Sequence, residues 1–281
     1  MKLRSLWVAV FAALAFLAAP ALAAEDAEHP PAVAWSFEGP FGKYDVNAVQ
    51  RGFLVYQTVC ATCHSLNHLS YRNLGEPGGP YEASWVMNEE TGEREIELGA
   101  GHGRRVDPNE NPYVRAIAAA VMIRDIDRET GEETERAGRP SDRFRNPYRN
   151  SAAAAAANGG AIPPDLSVIN LARKGGADYI RAILLGYTGE EREGRYVNRY
   201  FSGGLIGMPS PLTQAGMVAY EDGTEATIEQ MATDVTHFLQ WASDPHMAAR
   251  KEMGLVVMVF LIILAALTYL AYKNVWRDVK H

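Results

Sequence analysis

Cys60-Ala61-Thr62-Cys63-His64 is the stretch on which the reading of this chain turns. Cys-x-x-Cys-His places two thiols where they can add to the two vinyl groups of one haem. The adjacent imidazole then meets the iron from the proximal side, and the pattern is the attachment signature of c-type haem. The chain has no cysteine besides these two. A thioredoxin-like redox pair would normally follow a strand in a βαβ pattern, which is absent here. A structural zinc site needs a second ligand pair, and no further cysteine supplies one. A disulfide across two residues would staple almost nothing. The residues therefore point to one covalent haem c, held by Cys60 and Cys63, with His64 as the first iron ligand.

Membrane signals flank this motif on both sides. Lys2 and Arg4, an apolar run from Leu6 to Leu17 and the small-x-small stretch Ala21-Leu22-Ala23 form a secretory signal peptide, so residues 1–23 are expected to be cleaved. Losing Lys2 and Arg4 takes the formal charge from −7 to −9. So acidic a chain argues against nucleic acid as a partner and suits a basic protein, attracted more weakly as salt rises. From Gly254 to Tyr272 there are 19 residues without a charge. At about 1.5 Å each they match a bilayer core of about 30 Å, and they show no polar stripe. Residues 24–250 are thus expected to form an exported haem domain, and 251–281 an anchor with a short tail. With one span, the C-terminus lies in the cytoplasm and the head in the periplasm of a bacterial inner membrane; the basic tail agrees, weakly, with the positive-inside rule.

The body reads as mainly α, with long loops. Asp45 caps a helix over about 46–59, on which Val46, Val49, Phe53 and Tyr56 recur at helical spacing. Residues 75–112 read as a long irregular excursion. A short helix follows over 113–123, then a charged loop to Asn150, then one or two helical turns over 151–157. Residues 166–173 and 178–185 read as short helices, and 186–207 as loop with a short strand at 196–201. A last amphipathic helix covers about 227–241, and Asp244-Pro245 breaks it before the anchor.

The iron needs a sixth ligand or remains an open site, and methionine ligation suits electron transfer. Met122 sits in the apolar helix, where packing is the default; Met217 and Met231 also read as core residues. Met247, Met253 and Met258 lie at or in the anchor, and His68 is too near His64 in sequence to reach the opposite face. Met208 lies in a loop defined by Gly203, Gly204, Gly207, Pro209 and Pro211, where a side chain projects without helix constraints. His102 and His237 are its rivals.

Cys60 to Ser65, Asn158 to Ser167 (NGGAIPPDLS), Gly207-Met208-Pro209 and the single anchor, preceded by Arg250 to Leu255, occur in the order found in the cytochrome c1 family. Over most of its length the chain resembles that family, whose members are the haem subunits of the cytochrome bc1 complex. The resemblance implies a cytochrome c-like haem domain in which Met208 is the distal ligand. It implies that Asn158, Ala161, Pro163 and Pro164 line the haem, that Arg173 pairs with a propionate and that Tyr179 lies on the same side. For Arg173 a solvated helix charge is the plainer alternative, and for Tyr179 simple packing. It also implies partners: cytochrome b, a Rieske iron–sulfur subunit as electron donor, and a soluble c-type cytochrome as acceptor, in a complex that is dimeric. The chain would do no bond-making of its own. Glu89, Glu90, Glu93, Glu95 and Glu97 are candidates for steering a basic acceptor, with a solvated loop as the alternative. The 75–112 region looks longer than in the family, Pro-Ser-Pro stands where Ala-Pro-Pro is expected, and an extra disulfide found in some bacterial relatives cannot form. A free-standing anchored cytochrome serving an oxidase, a haem enzyme with an open sixth site, and a thiol or zinc protein are the competing readings.

Overall fold

The computed structural model describes residues 27–88, 90–99 and 103–279. The expected signal peptide, residues 1–23, and Glu89 and His102 lie outside the described residues.

Helix α1 (Val46–Thr58) begins where expected: the Asp45 carboxylate accepts hydrogen bonds from the N–H groups of Asn47 and Ala48, at 3.0 and 3.2 Å. Its buried face comprises Ala48, Val49, Gly52, Phe53, Val55 and Tyr56. This face packs on α6 (Ile228–Ser243), whose N-terminus is capped by the Thr227 hydroxyl accepting from the N–H of Gln230. At the crossing a Cβ on Gly52 would lie 1.9 Å from the carbonyl oxygen of Asp234 and 2.8 Å from the Cβ of Phe238. Only glycine lets the two backbones approach so closely. Aromatic contacts spread outward from there: Phe238 meets Phe53 at 5.5 Å and Tyr56 at 5.4 Å, and Phe144 stacks on Tyr71 at 4.6 Å.

The same crossing buries an ion pair. Asp234, 1% exposed, accepts two hydrogen bonds of 3.0 Å from the Arg51 guanidinium and one from Gln230. Arg51 also reaches Asp222 at 2.7 Å and lies over the ring of Tyr220. Removing one partner of such a pair leaves a buried charge, at a cost of about 3–5 kcal/mol.

Between these two helices the chain departs from expectation. The region expected to be irregular folds into a three-stranded antiparallel sheet in the order β2-β1-β3: β1 (Ala83–Met87), β2 (Arg94–Leu98) and β3 (Arg104–Arg105). The expected helix is shorter, α2 (Pro112–Ala119), and gives way to a hairpin of β4 (Met122–Ile126) and β5 (Glu133–Ala137). Met122 therefore sits on an exposed strand and not in an apolar helix. Its side chain is exposed because strand alternation turns the neighbouring Ile123 toward the core instead.

Three short helices follow, α3 (Ser151–Ala157), α4 (Ile169–Ala172) and α5 (Gly176–Leu185). A second three-stranded sheet, β6 (Tyr187–Arg192), β7 (Arg195–Asn198) and β8 (Leu205–Ile206), replaces most of the loop expected over 186–207. Helices α4 and α5 pack on α6. After Asp244 the chain enters α7 (Met247–Trp276), 30 residues long. It is long and apolar enough to cross a membrane, and none of its most apolar window is buried. The expected span over 254–272 lies inside it. The fold is thus mainly α, a helical head with long connections on one apolar C-terminal helix.

Candidate haem site

Helix α1 delivers the chain to the cysteine motif. Its last turn passes directly into a 3-10 turn over Cys60–Thr62, where the N–H groups of Cys63 and His64 both donate to the carbonyl of Cys60. The Tyr56 hydroxyl donates to the carbonyl of His64 at 3.2 Å, so the core of α1 also holds the exit from the turn. Both thiols are free. Burial, with Cys63 nearby, pushes the Cys60 thiol up to about 12.

His64 has a defined tautomer. Its Nδ1 lies 2.8 Å from the carbonyl oxygen of Pro164, a group that can only accept, so Nδ1 carries the proton and Nε2 keeps its lone pair. Burial lowers the pKa of the ring, with the Pro164 contact opposing, which favours the neutral ligand form. A backbone carbonyl on the far nitrogen is the usual way a protein orients a metal-binding histidine.

The two segments meeting at this bond are sewn together by Asp165. Its carboxylate accepts from the Ser65 hydroxyl at 2.7 Å and from the N–H groups of Asn67 and Ser167, each at 2.9 Å. The N–H of Leu166 donates to the carbonyl of Ser65, and that of His68 to the Ser167 hydroxyl. Burial works against ionisation of Asp165, but hydrogen bonds from Ser167, Ser65 and Asn67 hold its carboxyl below the usual carboxylate range. Asp165 and Ser167 were not singled out from the sequence. The only local signal was an aspartate after Pro163-Pro164, which reads as an ordinary turn.

The other expected site residues fall around this pair of segments. Asn158 ends α3, donating to the carbonyl of Ala154 at 2.7 Å and to the Tyr148 hydroxyl at 3.0 Å, while its own carbonyl accepts from the N–H of Ala161. Pro163 is half-buried and Pro164 exposed. Ile162 and Leu171 on either side are 58% and 63% exposed, apolar surface that the polypeptide leaves uncovered. Arg173 is exposed at the end of α4, and no ion pair joins it to a carboxylate among the described residues. It lies within electrostatic reach of Tyr179, whose hydroxyl is pushed up by burial against the opposing pull of Arg173. Met208 is half-buried just after β8, and its carbonyl accepts from the Tyr187 hydroxyl at 3.0 Å.

Of its rivals, His237 is enclosed by Trp35 and Phe37, ring centroids 5.1 and 5.3 Å away. Met231 is wholly buried in the core, and Met217 packs against it. A cavity of about 400 Å³ opens behind the turn, lined by Ala61, Thr62, Phe53, Tyr56 and Arg145 among others, but neither thiol nor the imidazole faces it.

The donor set fits a c-type haem: two free thiols on one turn, an imidazole with Nε2 left open, and uncovered apolar side chains nearby. Set at the end of a helix in a mainly helical head, this donor set is that of a c-type haem protein. Comparison with known proteins then specifies it. Residues 35–279 match the model of the Cytochrome C1 family. Cytochrome c1 of Rhodospirillum rubrum is 38% identical, with 88% of this chain and 87% of that protein covered. The mitochondrial cytochrome c1 haem protein of Saccharomyces cerevisiae is 40% identical over 92% of this chain and 75% of its own length. Cytochrome b/c1 of Bradyrhizobium diazoefficiens is 42% identical over 92% of this chain, which spans only 37% of that longer protein. The chain belongs to the cytochrome c1 family, and membership implies a c-type haem.

Proposed function

We propose that this chain is the haem subunit of a quinol–cytochrome c reductase, taking one electron from a Rieske iron–sulfur protein and passing it to a soluble c-type cytochrome. The observation that carries the reading is the His64–Pro164 contact, which presents Nε2 of an oriented, neutral imidazole beside two free thiols. Relatives named cytochrome b/c1 and "Cytochrome b-c1 complex catalytic subunit" support assembly with cytochrome b.

A haem c bound here would supply a one-electron iron couple. Cys60 and Cys63 would hold it by thioether bonds, and His64 and Met208 would bind its iron. Asn158, Ala161, Pro163 and Pro164 would line it. Arg173, without a carboxylate partner among the described residues, would offer its guanidinium to a propionate, beside Tyr179. Helix α7 would anchor the head in the inner membrane, with the head in the periplasm and the tail in the cytoplasm. Exposed Glu93, Glu95 and Glu97, on or beside β2, suit a basic acceptor.

The test is to solubilise membranes gently and isolate complexes through a tag on this chain. A cytochrome b and a Rieske protein should co-purify in equal amounts, and quinol should reduce the c-type haem only while the Rieske subunit is present. Isolation with a terminal oxidase and without cytochrome b would contradict the proposal.

A further inference from the structure

The base of the head is tied to the anchor by a clamp on Lys251. This lysine lies in the first turns of α7, just before the uncharged run, where a lysine ordinarily snorkels toward lipid headgroups. Here it turns the other way. Its ammonium donates to the carbonyls of Phe37 and Gly39, each at 2.7 Å, and of Gly42 at 3.4 Å. An ammonium has three donors, and all three are spent on one turn of the chain's own backbone. The turn is shaped for this close return: a Cβ on Gly42 would lie 2.0 Å from the carbonyl oxygen of Glu38.

The clamped turn continues into a strap that reaches the proposed haem site. Phe37 stacks on Trp35 at 5.4 Å, and both pack with Ala177 of α5 and Met247 of α7. The Trp35 indole N–H donates to Asp178 at 2.7 Å, and the N–H of Val33 donates to the same carboxylate oxygen at 3.1 Å. Asp178 lies in the first turn of α5, next to Tyr179. On the other side of the turn, the Tyr44 hydroxyl donates to the carbonyl of Asp244 at 2.9 Å and lies 3.2 Å from that of Gln240, at the break between α6 and α7. That break is only three residues long, Asp244-Pro245-His246, and the Arg250 guanidinium pairs with Asp244 across it.

We propose that Lys251 is a positioning residue: by clamping the Phe37–Gly42 turn it fixes the posture of the haem-bearing head on its membrane helix. The inference rests on the reading of the head as a haem domain. Electron transfer to and from a head held by one helix requires that the haem keep a set height and tilt relative to partners in the same membrane. The strap supplies that constraint through the chain Lys251, Phe37, Trp35, Asp178 and α5.

The experiment uses the assembled complex in oriented membrane multilayers, with Lys251→Met, Lys251→Arg and Trp35→Phe. Lys251→Met should keep the covalent haem, its reduced-minus-oxidised spectrum and its midpoint potential. The orientation dependence of the oxidised haem's electron paramagnetic resonance signal should broaden, and reduction of the haem by its bound donor should slow. Lys251→Arg, which keeps charge and donors, should restore both. Trp35→Phe keeps a smaller aromatic ring against Phe37 and loses the bond to Asp178, so a smaller broadening is expected, and it carries the test where Lys251→Met fails to accumulate. Wild-type orientation and rate in both Lys251→Met and Trp35→Phe would overturn the proposal. A wild-type complex without covalent haem would instead overturn the functional reading on which it rests.

Discussion

Met208→Leu is expected to leave the haem covalently attached while its midpoint potential falls by on the order of a tenth of a volt or more, within the ~0.8 V range that axial ligands command. A thioether stabilises the reduced iron and raises the potential; leucine fills similar volume with no donor atom. The loop itself should survive the exchange, because its tie to the rest of the head runs through the main chain: the Tyr187 hydroxyl donates to the Met208 carbonyl and not to its sulfur. The loss should therefore be confined to the iron. Carbon monoxide should bind the reduced variant rapidly at neutral pH and the wild-type protein poorly. An unchanged potential would show that some other side chain occupies the sixth position.

Gly52→Ala, a change of one methyl group, is expected to cost most of the folded stability of the head. The added Cβ would stand 1.9 Å from a backbone oxygen of α6, where no side-chain rotation relieves it. The helices must part, which loosens the contacts of Phe53 and Tyr56 with Phe238 and strains the Arg51–Asp234 pair. Overpacking alone costs about 1–3 kcal/mol and disruption of a buried ion pair about 3–5 kcal/mol. Set against a total of about 5–15 kcal/mol for a domain, this is a large fraction. The denaturation midpoint of the haem-containing protein should drop steeply, and little of it should accumulate in cells. A midpoint equal to that of the wild type would mean that the crossing is not as close as described.

What could be read from the residues alone, and what could not, follows from the range of the interactions. Helices α1 and α6 were legible because each carries its own apolar spacing, and α1 its own capping residue, Asp45. The anchor was legible because an uncharged run of that length has few other uses. The β1–β2 and β4–β5 hairpins were missed because strands such as Arg94-Glu95-Ile96-Glu97-Leu98 face solvent widely and bury no continuous apolar face. Their loops did carry a shared signal. Asn88 and Asp127 each begin an Asx-x-x-Thr-Gly-Glu stretch, and each side chain accepts from the N–H groups two and three residues on.

Long-range contacts were hidden altogether. Nothing near Gly52 announces that Asp234 will lie against it, and nothing near Lys251 announces the three carbonyls of residues 37–42. The Cys-x-x-Cys-His turn was plain, but the partner that orients its histidine comes from Pro164, a hundred residues on. The motif identified the chemistry; the fold supplies the carbonyl and the Asp165 hydrogen bonds that make the imidazole ready for it.

The central claim is that one haem is bonded to both cysteines of this turn. Mass spectrometry of the tryptic peptide spanning residues 52–72 of the purified protein tests it most directly, since that peptide contains Cys60, Cys63 and His64 and no internal lysine or arginine. The account predicts a single species carrying the mass of one haem, with neither sulfur open to alkylation. An unmodified peptide with both thiols alkylated would contradict it.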